Sequence, residues 1–296
     1  MTAPPAQRRI RFGPAGWDYP DWAGTVYPKP KPKGFDPLRY LADFFETIEI
    51  NSTYYRPPAS PTARSWAARV SHRPEFRFAL KLWKRFTHER QSAFTREEVD
   101  AVRAGLDPIA EAGKLGAVLL QFPWSFRNDE ANREWLRDVA SAFRAYPLVV
   151  EVRHESWNEP GFYAELAERG LGFVNVDQPL FRNSIRPSAR ATSSVGYVRV
   201  HGRNYRDWFR KEAGRDERYD YLYTAKELQP WAERTRELAE DPEVAEVYVV
   251  NNNHFRGQAA ANAAMLKSQV TGGRVAVPPQ LLETYREVLA PFARVS

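Results

Sequence analysis

Leu148-Val149-Val150-Glu151-Val152-Arg153-His154 is a short β-branched run that ends abruptly in ionisable side chains. Such a run reads as a buried strand, and the residues behind it, 161–169, switch to helical spacing. The same unit recurs along the whole chain. Strands are predicted over residues 10–13, 47–51, 76–81, 117–121, 148–152, 172–176, 197–200 and 247–251. Helices are predicted over 36–45, 60–70, 96–112, 129–143, 161–169, 225–240 and 258–270. Ser60 is placed as a cap with Pro61 in the first turn behind it. The sixth strand is followed by an irregular stretch reaching residue 191. After Pro278-Pro279 a terminal helix is predicted over 281–292. Strand–helix alternation implies a parallel sheet, and about eight units imply closure. The expected fold is therefore α/β, a single (β/α)8 TIM-type barrel with a polar pocket at the C-terminal ends of its strands. An open doubly wound sheet is the other architecture, but no Gly-rich dinucleotide loop follows the first strand.

The chain has 296 residues, 43% hydrophobic and 27% charged, which is globular rather than disordered composition. One barrel domain is expected over residues 10–296, including the extra C-terminal helix. Residues 1–9, rich in Pro and Ala, read as a flexible start without the apolar core of a signal peptide. No apolar run is long enough for a membrane span, so no membrane partner is expected. Cysteine is absent, which excludes disulfides, thiolate chemistry and zinc–thiolate sites. That absence fits a reducing compartment, and a cytoplasmic protein is expected. The net charge of +6 is compatible with an anionic substrate or a nucleic acid, and equally with general solubility.

Chemistry in such barrels sits where the strands end. Polar residues gather there: Glu49 and Asn51, Lys81, Gln121, Glu151 with Arg153 and His154, Asp177, Arg199 with His201, and Asn251, Asn252 and Asn253. Glu49 and Asn51 lie two apart, as do Glu151 and Arg153, and Arg199 and His201, so each pair shares one strand face. Ile48, Ile50, Val150, Val152, Val198 and Val200 occupy the complementary positions and suit packing against helices. The polar face is thus expected to line the barrel interior. A purely structural ion-pair network is the competing reading of each charged position.

The same residues resemble the DUF72 (YecE-like) family. The resemblance rests on Gly13-Pro14-Ala15-Gly16-Trp17-Asp18-Tyr19-Pro20-Asp21-Trp22 with Tyr27-Pro28, and on Glu49-Ile50-Asn51-Ser52-Thr53-Tyr54-Tyr55. It continues through Phe78-Ala79-Leu80-Lys81 with Thr87-His88, the 115–123 strand ending Gln121-Phe122-Pro123, and Glu151-Val152-Arg153-His154-Glu155-Ser156-Trp157. Val198-Arg199-Val200-His201-Gly202-Arg203, Asn251-Asn252-Asn253-His254-Phe255 and Ala261-Asn262-Ala263 complete it. Ala15 departs from the pattern, since many members carry Ser there. The resemblance implies a TIM barrel with its pocket at these motifs and supplies no reaction. Likeness of such proteins to sugar-isomerase-like and endonuclease-IV-like barrels is an analogy of fold.

Several chemistries suit this residue set. Glu49 and Glu151 are acid/base candidates, with His201 beside Arg199 as a proton relay. A carboxylate pair is also the equipment of glycoside hydrolysis. Lys81, Arg153, Arg199 and Arg203 suit phosphate or carboxylate, while Asn51, Gln121, Asn251 and Asn252 suit sugar hydroxyls or base edges. Trp17, Tyr19 and Tyr54, with Trp22, Tyr55, Trp83, Phe122, Trp124 and Trp157, follow strand ends and offer stacking platforms, or simply plug the barrel top. Glu49, Glu151, Asp177 and His201 would make a divalent-metal set. Lys81, Arg153 and Arg199 among them repel a cation, so no cofactor is expected. The expected function is an enzyme, a hydrolase or isomerase, acting on an anionic sugar- or phosphate-containing substrate, with nucleic acid as one version. The alternative is a non-catalytic binder of single-stranded nucleic acid or a nucleotide-like ligand.

Overall fold

All eight predicted strands form in the computed structural model, which describes residues 10–208, 210, 212 and 214–295. They are β1 (Ile10–Pro14), β2 (Thr47–Ile50), β3 (Arg77–Lys81), β4 (Leu115–Gln121), β5 (Leu148–Glu151), β6 (Gly172–Asp177), β7 (Val195–Val200) and β8 (Glu246–Asn251). The reading of residues 1–9 as a flexible start lies outside the described residues. Neighbouring strands pair in parallel in the order β1-β8-β7-β6-β5-β4-β3-β2. The two ends of that order then meet. Glu46 N–H donates to Phe12 O (3.1 Å) and Gly16 N–H to Glu49 O (2.8 Å), closing the sheet into a barrel. Gly13 makes this approach possible, because a Cβ there would stand 1.7 Å from the Thr47 carbonyl oxygen.

Helices follow the strands as the sequence predicts. They are α1 (Pro37–Ala42), α2 (Ser60–Arg69), the single turn α3 (Lys84–Thr87), α4 (Arg96–Glu111), α5 (Glu130–Ala142), α6 (Pro160–Glu168), the short α7 (Arg215–Arg218), α8 (Ala225–Glu240) and α9 (Gln258–Thr271). Helices α4 and α8 begin with reciprocal capping boxes, Thr95 with Glu98 and Thr224 with Glu227. Ser60 is not the cap predicted for α2. It is the first helical residue, and its hydroxyl instead donates to Ala104 O of α4 at 2.7 Å, tying the two helices together. No helix follows β6. The predicted terminal helix is also interrupted. It divides into α10 (Pro279–Thr284) and α11 (Arg286–Leu289) at Tyr285, which leaves helical geometry (φ −111°, ψ 32°). Pro291 cannot continue a helix, and β10 (Ala293–Val295) pairs with β9 (Val275–Val277) instead. No helix among the described residues is long and apolar enough to cross a membrane.

Strand alternation divides the core in two. Ile48, Ile50, Val150, Val152, Val198 and Val200 face outward into the layer shared with the helices. A second, smaller cluster fills the barrel: Ala15, Ala79, Ala117, Leu119, Val149, Val174, Val176, Tyr197, Tyr248 and Val250. Two residues further along the same inward rows stand Lys81, Gln121, Glu151 and Arg199, with Glu49 on the same face of β2. The aliphatic plug thus ends in a layer of charge, and that layer is the floor of the barrel mouth.

Candidate functional site at the barrel mouth

Arg199 organises the floor. Its Nε and Nη2 fork onto Glu49 (3.0 Å to Oε2 and 2.5 Å to Oε1), and its Nη1 reaches Glu151 Oε2 at 2.9 Å. Tyr197, one inward step deeper on β7, donates its hydroxyl to Glu49 Oε2 at 2.9 Å. Arg153 takes the other side of Glu151, with Nε 2.9 Å from Oε1. Charges therefore alternate in the order Glu49, Arg199, Glu151, Arg153. The four groups come from three strands and the turn after β5; Arg199 is fixed in orientation by its bidentate contact with Glu49, and Arg153 by two nitrogens on the one oxygen Glu151 Oε1. Burial alone would push the Glu151 carboxyl up, but Arg199, Arg153 and His201 outweigh it and hold it well below the usual carboxylate range.

Above this layer lies a cavity of about 920 Å³. Lys81, Arg153 and Arg199 form its cationic floor, and Asn51, Gln121 and Asn252 add amides. Asn51 Nδ2 donates to Asn252 Oδ1 at 3.4 Å, and Gln121 Nε2 to Phe122 O at 2.6 Å. Aromatic side chains wall it: Trp17, Tyr19, Tyr54, Trp66, Trp124 and Trp208 among them. Trp17 meets Trp66 edge-on with centroids 5.8 Å apart, and Trp208 lies 5.6 Å from the Arg153 guanidinium. Tyr19 stacks on His254 at 4.5 Å, and its hydroxyl is committed to Ala15 O at 2.7 Å. Ala15 is fully buried. It offers the cavity no hydroxyl.

Lys81 differs from the other cations. It forms no ion pair with any described residue, and its Nζ sits 4.0 Å from the centre of the Tyr54 ring. Burial, then the repulsion of Arg199 and Arg153 against the attraction of Glu151 and Glu49, lowers its amine to about 7. Near neutral pH this lysine is divided between its charged and neutral forms.

These placements sort the expected site residues into those that line the cavity and those that do not. Glu49, Glu151 and His201 are 0 % exposed and lie beneath the cavity, in contact with the arginines that line it. His201 Nε2 lies 3.3 Å from both Glu151 Oε1 and Arg153 Nη2, and Nδ1 lies 3.1 Å from Asn252 Nδ2. Burial, with Arg153 and Arg199 working against Glu151, lowers its pKa to about 3. That value keeps the ring neutral near pH 7. Arg203 is spent on Asp177, Nη2 to Oδ1 and Nε to Oδ2 both at 2.9 Å, and Tyr223 donates to the same carboxylate. Asp177 thereby belongs to a separate cluster, and no group of three or more metal-ligating side chains forms among the described residues. Asn251 follows the outward row of Val247 and Val249, away from the cavity, and its side-chain atoms find no partner among the described residues. Trp66 on α2 and Trp208 in the loop after β7 were not expected, since neither closely follows a strand end. His88 also lines the cavity, and burial together with Lys81 and Arg153 lowers it to about 3.

The family model described as "Protein of unknown function DUF72" matches residues 11–284. The chain belongs to the DUF72 family. Among solved DUF72 structures, the protein TM1631 of Thermotoga maritima MSB8 is 34% identical, with 89% of this chain and 99% of that one covered and a TM-score of 0.76. The DUF72 protein EF0366 of Enterococcus faecalis V583 is 26% identical over 88% of this chain and 95% of that one, also at 0.76. UPF0759 protein YunF of Bacillus subtilis (strain 168) is 29% identical over 271 residues, 87% of this chain and 93% of its own. The two solved DUF72 structures share the fold, and none of the three proteins' names states a reaction.

The two low histidines set an acid limit on this DUF72 barrel. His88 and His201 fall from 6.5 to about 3 on folding. The unfolded chain therefore takes up protons first as pH falls. Their contribution to stability is complete above about pH 6.5 and is lost progressively towards pH 3. Urea midpoints are expected to drop between pH 7 and pH 4, and to drop less in His88→Gln. Equal slopes for the two proteins would show that His88 is not held neutral.

Proposed function

We propose that this protein is an enzyme acting on a small anionic, sugar- or phosphate-bearing substrate, bound in the barrel mouth. The observation that carries the reading is the floor itself. Arg153 and Arg199 are clamped from beneath by fully buried carboxylates and reach the cavity beside a lysine that no carboxylate neutralises. A guanidinium held in place loses little freedom when it takes a planar anion. The aromatic walls and the three amides are the surfaces a sugar ring and its hydroxyls use. The cavity volume suits a small ligand. In this reading Glu49 and Glu151 orient the anion-binding groups, and Lys81 supplies the group able to exchange a proton near pH 7.

Calorimetric titration with glucose 6-phosphate and with glucose tests the reading. The phosphate ester is expected to bind at least about tenfold more tightly than the free sugar, and Arg153→Gln to remove about 1.5–3 kcal/mol of that affinity. Equal binding of the two sugars, or an unaffected Arg153 variant, defeats it. A short single-stranded oligonucleotide that binds with a steep salt dependence, where the sugar phosphate does not bind at all, would favour the non-catalytic nucleic-acid binder.

A further inference from the structure

We infer that Lys81 is a nucleophile that forms a Schiff base with the carbonyl group of an anionic aldehyde or ketone held by Arg153 and Arg199. This rests on the anion-binding reading above and adds to it a substrate class and a covalent step. The geometry is that of a reactive amine rather than a structural one. Buried lysines are ordinarily paired. Here the two carboxylates on the same floor are both occupied, Glu49 by Arg199 and Tyr197, Glu151 by Arg199 and Arg153. The Lys81 amine is left with the face of Tyr54 at 4.0 Å. Its main chain is anchored, because Thr53 Oγ1 stands 2.6 Å from Lys81 O and 2.8 Å from Ile50 O. The side chain leaves the last residue of β3 on the inward row of Ala79, half-buried and lining the cavity.

A lysine crowded by other cations in a desolvated site is a known route to an amine that is neutral at working pH. The lowered value of about 7 fits that route. In the step itself the nitrogen lone pair attacks the carbonyl carbon, forming a C–N bond as the C=O π pair moves onto oxygen. The oxygen takes one proton from the new ammonium and one from solvent and leaves as water. The product is a protonated C=N bond, formed with no change of oxidation state. Its positive charge would lie against the Tyr54 ring, where the ammonium lies now. The guanidiniums meanwhile face the substrate's own anionic group.

The test uses the full chain with dihydroxyacetone phosphate or ribose 5-phosphate and sodium borohydride, read by intact mass and peptide mapping. The expected result is one reduced adduct per chain, located at Lys81 and absent from Lys81→Arg. Labelling is expected to fall at least about tenfold with dihydroxyacetone in place of its phosphate, and to fall as pH drops below about 6, where the amine is charged. If the phosphates bind by calorimetry yet Lys81 stays unlabelled, the Schiff base is overturned and the anion pocket stands. Indiscriminate labelling of surface lysines likewise overturns the Schiff base alone, and phosphates that neither bind nor label Lys81 overturn both.

Discussion

Arg199→Met is expected to cost about 3–5 kcal/mol of folding stability, measured by urea unfolding at pH 8. The guanidinium is the only cation that touches both Glu49 and Glu151 among the described residues, through three hydrogen bonds. Both carboxylates are fully buried, and the methionine would leave Glu49 with only the Tyr197 hydroxyl. Glu151 keeps Arg153, but the buried charge of Glu49 is left without a cation, which is the costly case for a broken buried pair. A loss below about 1 kcal/mol at pH 8, typical of an exposed pair, would mean that the floor is not the buried network described.

Lys81→Met is expected to do the opposite and stabilise the protein by about 1–3 kcal/mol at pH 7 while abolishing carbonyl trapping. The amine falls from 10.5 to about 7 on folding, so the unfolded chain holds the proton more tightly. Lys81 therefore opposes folding increasingly as pH falls from 10.5 towards 7, and removing the amine relieves that penalty. The gap between variant and parent should close as pH rises towards 10. Urea midpoints at pH 7 and pH 10 measure it. Destabilisation by Lys81→Met at pH 7 would show that the amine has an unrecognised favourable partner. The cost follows from one desolvated amine placed beside two guanidiniums.

Period-2 alternation was enough to turn Glu49, Glu151 and Arg199 inward from sequence, because Ile48, Val150 and Val198 beside them demanded the helix-facing side. It was not enough to say what lay deeper. Tyr197 is one inward step below Arg199, and its hydroxyl completes Glu49 from beneath. Glu49 and Glu151 read as two separate carboxylates at strand ends, and only the structure shows the Arg199 guanidinium lying between them, forked onto Glu49 and reaching Glu151. Strand β8 carried no such alternation. Val247, Tyr248, Val249 and Val250 are all apolar, so nothing local revealed that Asn251 belongs to the outward row. Arg203 lies beyond the end of β7 and met Asp177 across β6 and β7, a pairing set by tertiary structure alone. Lys81 was legible as an inward cation. Its isolation was not, because that depends on the other charges finding each other first.

That the barrel mouth holds an anion is tested most directly by a crystal structure of the protein grown with glucose 6-phosphate. The expected result is a phosphate with oxygens about 3 Å from guanidinium nitrogens of Arg153 and Arg199, and the sugar ring against the aromatic wall. A cavity left empty at saturating ligand, or a sugar bound with its phosphate turned away from both arginines, would contradict it.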